Sequence, residues 1–407
     1  MRSARFPFLA LATLALTLLS SQSLPAAPSQ PSPLRETKSS SAKSTPRPAA
    51  LPPLDTGELD AGAQFTIARP LQWNGSVLLI AHGLRAETDP LVADLNPDRL
   101  AYRTLRDEGW IIAKTSYRRN GMIIADAVAD LDNLRAHIAN TYGAPKRVIV
   151  EGDSMGGLIA TLIAERTPGD SPLYQGCVAV GAALSAREPG GPLGLSLGSQ
   201  IPLLFLTNRS ELTGPRSYVF PLHPLPREVR AVQPALFRVS RDGHVNVNQH
   251  ERLTALRALN DWLDRGPSAL PKPTDGSEFF DATHEPEPQP SLVTFDADRR
   301  GFTAHVTEIT AVYGNIAIDA QPADFASAGI ARNAWFQITA HDENRRVMYG
   351  RDFSAVKRGE WVAFPNADGF FWLARNFENA AKTAGLKVGD EVHLRAYEKI
   401  SAAPASE

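Results

Sequence analysis

The stretch Arg147-Val148-Ile149-Val150-Glu151-Gly152-Asp153-Ser154-Met155-Gly156-Gly157 decides how this chain is read. Three β-branched residues in a row, Val148 to Val150, suit a short buried strand. Gly152-x-Ser154-x-Gly156 follows, matching G-x-S-x-G. The apolar run Leu158 to Ala164 then predicts a buried helix. A strand, a sharp turn and a helix form the context in which this motif carries chemistry. The turn strains the serine backbone, so small residues are needed two places before and two after it. Ser154 is expected to stand at the top of a sheet, with a helix N-terminus behind it. The bland reading is a Gly-Ser turn without chemistry, and the flanking elements favour a nucleophile.

At 407 residues, 43% apolar and 21% charged, the chain has room for two globular domains. A net charge of −2 offers no basic field, so no nucleic-acid partner is expected. The single cysteine, Cys177, can form no internal disulfide and no Cys-based metal site. It sits in the apolar run Cys177-Val178-Ala179-Val180 and reads as a buried thiol. No metal and no cofactor are expected. Arg2 and Arg5 precede an apolar run from Phe6 to Leu19, the pattern of a signal peptide over residues 1–26. That run is shorter than the about 20 residues a membrane span needs. Export to a periplasm or the exterior is expected, with no stable membrane anchor after cleavage. An uncleaved anchor is the alternative. Residues 27–56, rich in Pro, Ser, Ala and Lys, read as a disordered tether.

Between 57 and 266, strand patterns alternate with helix patterns. Strands are predicted at 64–68, 76–81, 110–117, 148–150, 176–184, 201–206 and 235–240. Helices are predicted at 97–108, capped by Asn96 with Pro97 at its first position, at 125–142 and at 251–263. Such alternation predicts an α/β fold with a doubly wound, mostly parallel sheet. Ligands of such sheets gather at the carboxyl ends of the strands. His82-Gly83, Tyr117-Arg118-Arg119-Asn120 and Ser154 all follow strands there. With its elbow, its His82-Gly83 turn and Asp242-Gly243-His244, this region resembles an α/β-hydrolase. Secreted, lidless members of prolyl-oligopeptidase-like and esterase-like type look similar.

The resemblance implies the chain order serine, acid, histidine. His223 sits among prolines and His250 near the start of the last helix, which leaves His244 after a strand as the base. The carboxylates between Ser154 and His244 are Glu165, Asp170, Glu188, Glu211, Glu228 and Asp242. Glu211, just beyond the strand ending at Leu206, stands where the fold places its acid, which is usually an aspartate. His244 would take the Ser154 proton and Glu211 would fix the imidazole. The N–H groups of Met155 and Leu84 would form an oxyanion hole. His82 reads as a structural residue of that turn. Ser185 to Gln200 is too short for a large cap, so an open site suited to bulky or polymeric substrates is expected. Tyr117 and Arg118 are candidate substrate-binding residues, and Arg118 with Arg119 could meet an anionic group. A solvated basic loop is the other reading.

Residues 267–290 are Pro-rich and read as a linker. Residues 291–401 carry alternating short strands and read as a small β-barrel domain. Tyr313-Gly314-Asn315, Asn366-Ala367-Asp368-Gly369-Phe370, Ala374-Arg375-Asn376, Asn379-Ala380-Ala381 and Gly385 to Asp390 resemble the C-terminal domain of S-adenosylmethionine hydroxide adenosyltransferases and halogenases. The resemblance implies nucleoside contacts from Asn315, Arg375 and Asn376. It departs at Ala367, where a serine is usual, at Trp372, where many members carry a carboxylate, and at Ile318-Asp319, where Thr-Asn is usual. The catalytic domain of that family is absent, so adenosylmethionine cleavage is not expected. A nucleoside-binding, a trimerising or a carbohydrate-binding module all fit, and homo-oligomerisation through the barrel is one implied outcome. The expected function is a secreted serine hydrolase acting on an ester or amide. The alternative is a non-catalytic protein whose barrel binds a nucleoside-like or glycan ligand.

Overall fold

The computed structural model describes residues 50–166, 173–188, 194–273 and 276–397. The signal peptide and most of the tether read from the sequence lie outside these residues.

Nine strands build the first sheet: β1 Asp55–Glu58, β2 Gln64–Ala68, β3 Ser76–Ala81, β4 Ile111–Thr115, β5 Arg147–Asp153, β6 Gly176–Val180, β7 Leu203–Asn208, β8 Ala235–Val239 and β9 Phe280–Asp281. Their order is β1-β2-β4-β3-β5-β6-β7-β8-β9, with the β1–β2 and β2–β4 pairs antiparallel and all later pairs parallel. This is the α/β-hydrolase layout, with the strand leading to Ser154 near its centre. Val77, Leu78 and Leu79 on β3 are fully buried, as expected of a parallel strand covered on both faces. Helices α1 Leu100–Asp107, α2 Ile124–Tyr142, α3 Met155–Glu165, α4 Thr213–Val219 and α5 Gln249–Arg265 cover the sheet. Every residue of α3 from Met155 to Ala164 is buried, which explains why its sequence has no polar face.

Two sequence expectations change here. Helix α1 begins at Leu100 rather than Pro97, because Asn96 Oδ1 accepts from Asp98 N at 3.1 Å and closes a local turn instead of a cap. Within the segment read as linker, Phe280–Asp281 adds an edge strand parallel to β8.

The second sheet comprises β10 Thr294–Phe295, β11 Gly301–Ile309, β12 Ile316–Ile318, β13 Trp335–Ala340, β14 Glu343–Tyr349, β15 Trp361–Pro365, β16 Phe371–Arg375 and β17 Glu391–Ala396, with short helices α6 Pro322–Ser327 and α7 Ala380–Ala384. The order β11-β12-β16-β15-β14-β13-β17 closes on itself through β17–β11, giving a seven-stranded barrel without free edges. Phe325 and Phe371 stack at 3.8 Å between ring centres inside it. Phe371 is core, whereas Phe377 is 61% exposed.

Candidate active site

Ser154 has φ +56° and ψ −113°, a conformation that only tight local packing sustains. The neighbouring glycines show that packing. A Cβ on Gly152 would lie 2.0 Å from Gly156 O, and one on Gly156 would lie 2.0 Å from Ala81 O. The small residues expected around the serine are therefore a steric requirement. The Met155 and Leu84 N–H groups have no protein partner among the described residues.

His244 lies in the loop after β8, and Glu211 in a one-turn 3-10 helix after β7. His244 Nε2 is 2.8 Å from Ser154 Oγ, and His244 Nδ1 is hydrogen-bonded to Glu211 Oε1. The two loops are tied together by reciprocal bonds. Asn208 Nδ2 donates to Asn246 O and Asn246 N donates to Asn208 Oδ1, both at 2.8 Å. Ser210 Oγ donates to Gly243 O at 3.0 Å, and Gly243 N donates to Ser210 Oγ at 2.9 Å. Sequence reasoning passed over Asn208 and Ser210. The signal was a run of polar residues at a strand end, Asn208-Arg209-Ser210-Glu211.

Burial pulls the His244 imidazole pKa down, but the hydrogen bond and charge of Glu211, with Asp352 and Asp153 beyond, outweigh it and hold the pKa above the usual histidine value. Gly181 makes room for this pair. A Cβ there would lie 2.8 Å from Val245 Cγ2 and 3.1 Å from Glu211 Oε2, at a φ of +50°. Gly181→Ala is expected to push Glu211 off His244 and to cost roughly 10²-fold in kcat. Kinetics beside a thermal melt check this, and an unchanged kcat would show that the loop absorbs the methyl.

Beneath Ser154 lies a buried charge cluster. Arg252, 7% exposed at its side chain, bonds Glu151 Oε1 at 2.7 Å and Asp153 Oδ2 at 2.9 Å. Burial pushes the Glu151 carboxyl up despite Arg252. His82 is also buried, with Nδ1 2.7 Å from Gly83 O and Nε2 3.0 Å from Ser116 O. Burial pulls its pKa down to about 3, with Arg85 and Lys114 adding to the effect. A neutral ring donates to one of these carbonyls only, which suits a residue that braces the turn rather than a base. Cys177 is fully buried.

Several sequence expectations fail on geometry. Tyr117, read as substrate-binding, is fully buried. Its φ of +56° turns the ring inward, where it packs 4.0 Å from His82 and donates to His82 O at 3.3 Å. Arg118 is held by Asp130, with Nη2 2.6 Å and Nε 3.0 Å from Oδ1, so its charge is already matched. Arg119 pairs with Asp126 at 2.7 Å. In the barrel, Arg375 donates to Gly359 O at 2.7 and 3.0 Å and pairs with Glu378. Asn376 Nδ2 donates to Val356 O at 2.9 Å. Both side chains staple loops and are not free for a nucleoside. Asn315 fixes its turn through its backbone, with N donating to Thr310 Oγ1 at 2.9 Å. Among the described residues, no group of three or more His, Cys, Asp or Glu is placed to hold a metal.

The open, lidless site expected from the sequence is bounded by the barrel. Asn246 Nδ2 donates to Pro365 O at 3.1 Å and Asn248 Nδ2 to Ala367 O at 3.3 Å. Arg332 pairs with Asp242 at 3.2 Å. Ala367, where the resembling family has serine, thus faces the histidine loop. His244 nevertheless keeps 37% of its side chain exposed, so a substrate has access.

Residues 309–393 match the family model of the SAM hydroxide adenosyltransferase C-terminal domain. Over 115 residues the chain is 28% identical to an o-phthalyl amidase from Xanthobacter agilis, covering 27% of this chain. The match spans 24% of that protein's length. Similar solved structures include a Pyrococcus horikoshii acylaminoacyl peptidase, 12% identical with a TM-score of 0.39 over 56% of this chain and 44% of that one. A Xanthomonas campestris a/b serine hydrolase without lid is 16% identical, with a TM-score of 0.35 over 55% of this chain and 100% of that one. The fold assignment rests on the strand order and the serine turn.

Proposed function

We propose that this protein is an exported serine hydrolase that cleaves an ester or amide through an acyl-enzyme. The observation that carries the reading is the continuous chain Glu211, His244, Ser154 at the carboxyl ends of three strands, beside two unpartnered N–H groups. Ser154 Oγ adds to the substrate carbonyl carbon as His244 Nε2 takes its proton. The carbonyl π pair moves onto oxygen, and the N–H groups of Met155 and Leu84 receive that charge. Collapse re-forms the C=O bond and breaks the bond to the leaving group, which takes the proton from His244. Water, deprotonated by the same imidazole, then releases the acid and restores Ser154. Glu211 accepts from Nδ1–H throughout and stabilises the imidazolium.

The amide branch draws support from the name of the Xanthobacter agilis relative, and activated esters are the more reactive first probe. The barrel-as-binder reading loses support from the engagement of Arg375 and Asn376.

The pH dependence tests the base. His244 works only when neutral, and its surroundings hold its pKa above the usual value of about 6.5. Activity is therefore expected to rise with pH, with the midpoint of the acidic limb in kcat/KM above about 6.5. Hydrolysis of para-nitrophenyl acetate across pH 5 to 9, about two units either side of neutrality, reads it. A flat profile through that range would contradict His244 as the base.

A further inference from the structure

One barrel residue stands against the nucleophile and has no part in the steps above. Tyr313 lies in the turn between β11 and β12. That turn is fixed on all sides. Gly314 N donates to Thr310 O at 2.9 Å, Thr310 N to Asn315 O at 3.0 Å and Ala381 N to Gly314 O at 2.9 Å. Gly314 has φ +62°, and a Cβ there would lie 1.9 Å from Asn379 Oδ1, so only glycine closes the turn. The side chain it presents is thereby pre-positioned. A Cβ built on Gly83, the glycine of the oxyanion turn, would lie 3.3 Å from Ser154 Cβ and 3.5 Å from Tyr313 Oη. The phenol therefore stands over that turn, next to the serine.

Arg85, the residue after Leu84, lies close enough to act on it electrostatically. Its side chain is fully enclosed, with Nη1 donating to Val92 O at 2.6 Å and Nη2 paired with Asp94 at 2.5 Å. Lys114 Nζ shares the same oxygen, Asp94 Oδ1, at 2.7 Å. The guanidinium lies beside the Tyr313 hydroxyl. Arginine has donors only, so a guanidinium in that place accepts nothing from the phenol and leaves its O–H proton free to donate. Among the described residues that proton has no acceptor. Burial pushes the phenol up to about 12 against the pull of Arg85, so Tyr313 keeps its proton at neutral pH.

We propose that Tyr313 is a catalytic residue supplied by the barrel, its O–H forming a third donor to the oxyanion beside the N–H groups of Met155 and Leu84. The inference rests on the serine-hydrolase reading above. It makes the barrel part of the catalytic site, since the α/β domain alone would lack one donor. Tyr313 keeps 39% of its surface exposed.

Tyr313→Phe in the full chain separates this role from packing, because the ring stays and only the hydroxyl leaves. Two rates are read: labelling by a fluorophosphonate and turnover of para-nitrophenyl acetate. Removing one oxyanion donor is expected to lower kcat roughly 10²- to 10³-fold, with labelling slowed in parallel. KM should stay within about threefold and Tm unchanged, since the donor acts in the transition state. Wild-type rates in Tyr313→Phe overturn the inference and leave the serine-hydrolase reading standing. A rate loss that arrives as a raised KM, or with a lowered Tm, assigns Tyr313 to packing and overturns it too. A folded wild type that resists labelling removes the parent reading and this inference with it.

Discussion

His244→Ala is expected to lower ester turnover by roughly 10⁶-fold, the scale seen when a triad histidine is removed. The imidazole bridges Ser154 and Glu211, so its loss removes the base for acylation and the acid for leaving-group departure together. Glu211→Gln should cost less, roughly 10⁴-fold, because the amide holds the ring without stabilising the imidazolium. It should also move the acidic limb of the pH profile downward, since Glu211 raises the His244 pKa. Ser154→Ala combined with His244→Ala should be no slower than either alone, because the groups act as one unit. Steady-state kinetics on para-nitrophenyl acetate measure all three. An additive double variant would mean that the two residues act separately.

Arg252→Met is expected to destabilise the fold by about 3–5 kcal/mol, the usual cost of removing one partner from a buried ion pair. Glu151 lies 1% exposed at its side chain and is hydrogen-bonded to Arg252, with Asp153 sharing the same guanidinium. Without Arg252, two carboxylates remain beneath Ser154 with their main counter-charge gone. Glu151 should then bind a proton, so the loss should shrink as pH falls towards its raised pKa. Glu151→Gln in the same background should recover part of the stability. Denaturant midpoints for the single and double variants give the coupling. A change below about 0.5 kcal/mol in Arg252→Met would show that water reaches this cluster.

The parallel sheet was legible because its strands are short, apolar and β-branched. Gln64–Ala68 and Ser76–Ala81 have the bounds read from the sequence. Long helices were legible from their period, as in Ile124–Tyr142. Their starts were less so, because Asn96 can cap a helix or close its own turn, and only packing chooses. Phe280–Asp281 escaped because two residues carry no alternation and prolines surround them. Ser154, Glu211 and His244 could be grouped because few histidines and acids follow the serine in chain order. Direction was the weaker inference. Tyr117 and Arg118 do end a strand near Ser154, yet a positive φ turns one into the core and Asp130 holds the other. Gly181 and Tyr313 act across 30 and 159 residues of chain from Glu211 and Ser154, and no local pattern marks such contacts.

Intact-mass analysis after incubation with a fluorophosphonate, on the wild type and Ser154→Ala side by side, tests the central claim most directly. One phosphonyl adduct on the wild type, mapped to Ser154 and absent from the variant, is the predicted result. No adduct on folded wild type, or an equal adduct on both proteins, would contradict an activated Ser154.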